Sequence, residues 1–168
     1  VDFNNDGLLD ITVTGLDVKS NAVTKFYLNQ GGFGNFTLSN NNSIAQYSSS
    51  AISWGDANGD GDMDLMMTGN TSSPSATANL YINDGTGNFT ISSGTPFEAS
   101  NSGDIDFGDI DGDSDLDLIM TGLDAFMHLS TIIFCIKGTF SIGNSTPKSP
   151  RATIIPSVMS IMLSISVN

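Results

Sequence analysis

Three segments of this chain align without gaps: "DFNNDGLLDITVTG" from Asp2, "DANGDGDMDLMMTG" from Asp56 and "DIDGDSDLDLIMTG" from Asp109. Their starts lie 54 and 53 residues apart. A chain that repeats at a fixed period builds one unit several times, and neighbouring units bury each other's apolar faces. A second anchor recurs downstream, "FYLNQGGFGNF" ending at Phe36 and "LYINDGTGNF" ending at Phe89. Tyr27 to Tyr81 spans 54 residues and Phe36 to Phe89 spans 53, so the one-residue difference falls in the Gly-rich turn between them. Turns tolerate such a change best.

Within the second unit, "AISW" (51–54), "DLMM" (64–67), "ANLYI" (78–82) and "NFTIS" (88–92) read as short strands. The "NDGTG" between the last two is a hairpin-turn signal. No window carries a sustained 3.6-residue period. Four short strands per unit predict an all-β chain of β-propeller blades, about three repeats in a partial propeller. A β-solenoid is the alternative, but its turns are usually much shorter than this period. Phe26, Tyr27, Leu80 and Tyr81 are expected in the blade core rather than on a sugar-stacking surface.

Each unit opens with a crowd of acids that repel one another unless something neutralises them. Counted from its first Asp, each loop has oxygen-bearing side chains at positions 1, 3, 5 and 9. These are Asp2, Asn4, Asp6 and Asp10; Asp56, Asn58, Asp60 and Asp64; and Asp109, Asp111, Asp113 and Asp117. Alternate residues of a tightly curled loop point inward, so the first three converge. Position 7 (Leu8, Asp62, Asp115) would add its backbone carbonyl. Calcium takes six to eight such oxygens in a flexible shell, whereas magnesium demands stricter geometry and ranks second. Position 6 is Gly7, Gly61 and Ser114, where a sharp turn calls for positive φ. Three calcium ions would bring the net charge from −13 to −7. An Asx-rich turn without metal explains one such loop, since Asp, Asn and Gly favour turns for backbone reasons. It explains three identical patterns less well. The loops are therefore expected to be calcium hairpins, each anchoring the apolar strand that follows.

The first five positions match an EF-hand loop, but an EF-hand closes with Glu at position 12 in a helix. Here position 12 is Val13, Met67 or Met120, inside an apolar run. Of 18 acids only one is Glu, consistent with turns rather than helical surfaces. With five basic residues the chain has no footprint for nucleic acid. No apolar run reaches the ~20 residues of a membrane-spanning helix, so no insertion is expected. One cysteine, Cys135, excludes an internal disulfide framework and reads as a buried strand thiol; the lone His128 reads as packed or solvated. "GTGNF" lacks the Lys and the helix of a phosphate loop.

The segments "WGDANGDGDMDLMMTG" (54–69), "FGDIDGDSDLDLIMTG" (107–122) and "NLYINDGTGNFT" (79–90) resemble the bacterial FG-GAP/VCBS repeat family, related to the integrin α-subunit propeller. Trp54-Gly55 and Phe107-Gly108 look like the family's Phe-Gly element, and no Gly-Ala-Pro counterpart is present. The resemblance covers residues 1 to about 124. It implies a calcium-binding, non-catalytic module of a secreted or cell-surface protein, serving adhesion or binding protein or carbohydrate, within a longer chain with further blades. The alternative is an accessory propeller segment of a larger extracellular enzyme such as a polysaccharide lyase or hydrolase. The expected units are 1–54, an N-terminally truncated first repeat; 55–107, the second; 108–137, a partial third; and 138–168, a divergent tail. Residues 125–168 hold no acid and three of the five prolines. That shift reads as a reading-frame slip near residue 125, with a terminal cap of the array as the other explanation. The tail is not expected to pack stably on the blades.

Overall fold

The computed structural model describes residues 1–40, 43–71, 76–93, 97, 99, 101–110, 112, 114–123 and 129–134. The expectations for residues 138–168, His128 and Cys135 lie outside these. Among the described residues every regular element is a strand, and the strands form three separate antiparallel sheets with no closed barrel. The first sheet has the order β1 (Ile11–Leu16), β2 (Ala22–Asn29), β3 (Phe36–Leu38). The second runs β4 (Ser48–Gly55), β5 (Asp64–Asn70), β6 (Ala76–Asn83), β7 (Phe89–Ile91). The third is β8 (Ile105–Gly108), β9 (Asp117–Leu123), β10 (Leu129–Phe134). All four segments read as strands in the second unit are strands of one sheet.

The repeat in sequence is a repeat in register. Ile11 pairs with Tyr27, Leu65 with Tyr81 and Leu118 with Phe134, so equivalent positions face each other in all three hairpins. The Gly-rich turn that absorbs the extra residue closes from Gln30 N–H to Asn35 O at 2.8 Å. Its shorter counterpart closes from Asp84 N–H to Asn88 O at 3.1 Å.

Side chains alternate across a strand, so the continuous apolar run Leu65-Met66-Met67 must be buried on both faces. It is: all three are fully buried. Leu65 and Met67 pack with Phe26, Tyr81 and Phe89 in a cluster between the first and second sheets. Met66 points the other way and joins Leu80, Ile105, Leu118 and Met120 between the second and third. Phe3 stacks on Trp54 with ring centroids 5.7 Å apart and planes 7° apart, and its edge meets Phe26 at 5.5 Å. The tryptophan of the Trp-Gly element thus ties the second sheet to the first acidic loop. Polar bonds fix the stacking of sheets as well, from Ser50 Oγ to Thr14 Oγ1 at 2.7 Å and from Phe107 N–H to Ser53 Oγ at 3.3 Å.

Candidate metal loops

Each acidic loop leads directly into the first strand of its hairpin, β1, β5 or β9. Its curl is organised by the position-1 carboxylate. Asp56 accepts from Gly59 N–H at 2.7 Å and Asp60 N–H at 3.1 Å through Oδ1, and from Gly61 N–H at 2.9 Å through Oδ2. Asp109 repeats this with Gly112 N–H at 2.7 Å and Ser114 N–H at 3.0 Å. Asp2 does so with Asp6 N–H at 3.2 Å and Gly7 N–H at 2.8 Å. Position 6 has the positive φ that a sharp turn demands: 85° at Gly7, 92° at Gly61 and 75° at Ser114. Position 4 also lies in the left-handed region, at 57° for Asn5, 78° for Gly59 and 80° for Gly112. That second requirement escaped the sequence reading, although Asn and Gly are the residues that tolerate it.

Positions 3 and 5 complete the curl. Asn58 Oδ1 accepts the same Asp60 N–H that Asp56 takes, at 2.9 Å, and Asn58 Nδ2 donates to Asp60 Oδ2 at 2.8 Å. In the first loop, Asn4 Oδ1 shares the Asp6 N–H at 3.3 Å. Oxygens from positions 1 and 3 therefore converge on one point in both loops. Asp111 and Asp113 lie outside the described residues. At position 7 the N–H donates to the position-5 Oδ1 at 2.9 Å in both loops, from Leu8 to Asp6 and from Asp62 to Asp60, but the side chains differ: the Asp62 carboxylate accepts from Asn5 Nδ2 at 2.7 Å and so ties loop two to loop one. Gly85 leaves room for Asp62, since a Cβ there would meet its carboxylate at 2.6 Å.

The position-9 acids occupy a different place. Asp10, Asp64 and Asp117 are buried behind the loop. Asp64 accepts Ala57 N–H at 3.0 Å and Asn83 N–H at 2.9 Å, one on each oxygen. Asp10 accepts Phe3 N–H at 3.4 Å and Asn29 N–H at 2.9 Å, and Asp117 accepts Ile110 N–H at 3.0 Å. All three hold the loop against its own strand, and Asp10 and Asp64 also hold the end of the neighbouring strand. Burial pushes the Asp64 carboxyl up to about 6, and the charges of Asp60 and Asp56 add to that rise against the two N–H bonds. Asn83, read from sequence only as part of a turn, proves to be a joint. Its Nδ2 donates to Phe3 O at 2.7 Å and Met63 O at 3.0 Å, linking both loops to β6. Its recurrence as Asn29 in the "LNQGG" anchor was the available signal.

Among the described residues no group of three or more His, Cys, Asp or Glu side chains is arranged to hold a metal ion. Loops one and two carry Asn at position 3, and their acids are turned to backbone N–H groups. The donor chemistry nonetheless suits a hard cation: positions 1 and 3 aim a carboxylate and an amide oxygen at one N–H, and the position-3 amide nitrogen holds the position-5 carboxylate beside them.

The model of the FG-GAP-like repeat matches residues 2–67 and again 69–120. This chain belongs to the FG-GAP-like repeat family. Both matches include a complete acidic loop, so the family signature and the candidate loops coincide in this FG-GAP-like chain. Among curated proteins and among solved structures no match was found.

Proposed function

We propose that this FG-GAP-like chain is a calcium-stabilised, non-catalytic propeller segment of an extracellular or cell-surface protein, with protein or carbohydrate as the ligand of the assembled propeller. The observation that carries the reading is the shared loop curl. In all three loops the position-1 carboxylate takes the position-6 N–H, and in the first two the position-1 carboxylate and the position-3 amide oxygen converge on the position-5 N–H, of Asp6 and of Asp60. Asp2, Asn4 and Asp6, Asp56, Asn58 and Asp60, and Asp109 with Asp111 and Asp113 would hold one ion each, with the position-7 carbonyls completing the shell. Asp10, Asp64 and Asp117 stand behind them as closing acids. Bound calcium supplies positive charge and cross-links oxygens of one loop. The upward push on Asp64 from its own loop's charges is the repulsion such an ion would relieve.

The test is thermal unfolding in millimolar calcium against chelator. At a calcium level about tenfold above a dissociation constant of about 10⁻⁴–10⁻³ M, each site adds roughly 1.4 kcal/mol, so three add about 4. That is a large share of a domain's stability. The midpoint is expected to rise by many degrees with calcium, and an unchanged midpoint defeats the reading.

A further inference from the structure

Loop two holds the one Asn-Gly pair of the sequence, Asn58-Gly59. In such a pair the backbone nitrogen of the second residue can attack the side-chain amide carbon of the first, and Gly has no Cβ to obstruct the approach. The curl surrounds that reaction with suitable groups. Gly59 N–H, the nucleophile, donates to Asp56 Oδ1 at 2.7 Å. Asn58 Oδ1, on the carbon to be attacked, accepts Asp60 N–H at 2.9 Å. Gly59 is exposed at φ of 78°, with nothing within 4 Å of an added Cβ. A base on the nucleophile's proton and a donor on the oxygen that gains charge are what an acyl transfer requires. Loop one supplies a comparison within the same chain. Asn4 also accepts from Asp6 N–H, at 3.3 Å, and donates to Asp6 Oδ2, at 2.9 Å. Its following residue, however, is Asn5, which carries a Cβ and a side chain held across to Asp62 and Gly85 O.

We propose that Asn58 is a self-modification site, deamidated within its own loop with Asp56 as the base. The Gly59 nitrogen bonds to Asn58 Cγ as Asp56 Oδ1 takes its proton, and Asp60 N–H holds the oxyanion that forms on Oδ1. The bond from Cγ to Nδ2 then breaks, the proton passes from Asp56 to the leaving nitrogen, and ammonia departs. Water opens the resulting succinimide at either carbonyl and leaves aspartate or isoaspartate at position 58. Nothing is oxidised or reduced. The aspartate product gives loop two the residue type that loop three carries at Asp111, and adds one negative charge to the net −13. It also removes the Nδ2 donor that meets Asp60 Oδ2 at 2.8 Å, so that two carboxylates face each other. On the calcium reading above, on which this last consequence alone rests, the modified loop depends more strongly on its ion.

The experiment follows the masses of peptides from the full chain over days. One sample is kept in chelator with sucrose, which favours the folded chain, and its fold is checked by circular dichroism; the other is unfolded in urea. Replacement of the amide nitrogen by oxygen is read as a mass gain. Asn58 should convert faster in the folded chain than in urea, and well ahead of Asn4. Asp56→Asn should slow the folded reaction by about tenfold or more, since a positioned base contributes at least that. Its remaining rate should climb with hydroxide concentration, as in urea, while the unaltered chain's rate stays nearly level across neutral pH. That difference separates a base from a residue that only shapes the curl. Conversion no faster in the folded chain than in urea, Asn4 converting as fast as Asn58, or an Asp56→Asn rate unchanged from that of the unaltered chain overturns the proposal. The assay contains no free calcium, so its result stands whether or not the loops bind the ion. The consequence is read separately: Asn58→Asp should melt below the unaltered chain in chelator and recover in calcium, and an equal midpoint in chelator overturns that consequence.

Discussion

The first and second sheets carry the same hairpin in the same register, yet they live in opposite environments. The second is buried on both faces, with Leu65 and Met67 against one neighbour and Met66 against the other. The first packs one face, through Phe26, and turns Ile11 and Val13 to solvent. A repeat unit is therefore not stable by its own sequence. Its stability comes from the neighbours it meets, as in a nearest-neighbour array.

The largest expected effect breaks that comparison most directly. Leu65→Ala should cost about 2–5 kcal/mol, the range for emptying a packed core site. Ile11→Ala, at the equivalent position, should cost less than about 1 kcal/mol in the dilute chain, as surface changes do. Urea unfolding of both variants checks this, and equal costs would mean that the first sheet's outer face is covered after all. Next come the braces. Asp64→Ala strands two buried N–H groups and should cost about 2–3 kcal/mol in chelator. Asp10→Ala should cost about 1 kcal/mol, since its bond from Phe3 N–H is long at 3.4 Å.

The turn at position 6 sharpens the comparison between loops two and three. Ser114 has φ of 75° and Gly61 has 92°, and a side chain in the left-handed region costs about 1 kcal/mol or more. Ser114→Gly should stabilise by about that amount and tighten calcium binding in loop three, read by calorimetry. Gly61→Ala should destabilise by a similar amount through the backbone alone, because nothing lies within 4 Å of the added Cβ.

The smallest effect concerns the two Gly-rich turns. In the second, Asp84 accepts from Asn88 Nδ2 and from the Thr86 hydroxyl and N–H, which hold its carboxyl below the usual range. The first turn has Gln30 there and no such acid. A lowered carboxyl contributes stability above its unfolded value of 3.8 and loses it as the pH falls through the folded value. The advantage of the unaltered chain over Asp84→Ala should therefore be present at pH 7 and shrink below about pH 4, in pH-dependent melts. The group is exposed, so the shift should be slight.

Much of the architecture was legible because it rests on local chemistry. Asp, Asn and Gly at fixed spacing curl a loop through short-range hydrogen bonds, and a neighbouring apolar run must be buried. The three loops and the four strands of the second unit follow from that. The positive φ at position 6 could be foreseen because Gly marks it twice. At position 4 the signal was weaker, since Asn5 tolerates that conformation without requiring it.

What each carboxylate touches could not be read in the same way. Positions 9 and 1 carry the same residue, but Asp64 is buried with one oxygen on the loop at Ala57 and the other on β6 at Asn83, while Asp56 sits in an exposed curl. That difference depends on where β6 brings Asn83, 19 residues away. The exposure of Ile11 and Val13 is likewise a tertiary outcome, because burial is a property of a pair of faces and a strand's sequence specifies only one. The period, the loop chemistry and the strand pattern belong to the sequence by itself. Which acids brace and which stay open, and which apolar face has a neighbour, were decided by the stacking of sheets, since desolvation depends on what lies across the gap.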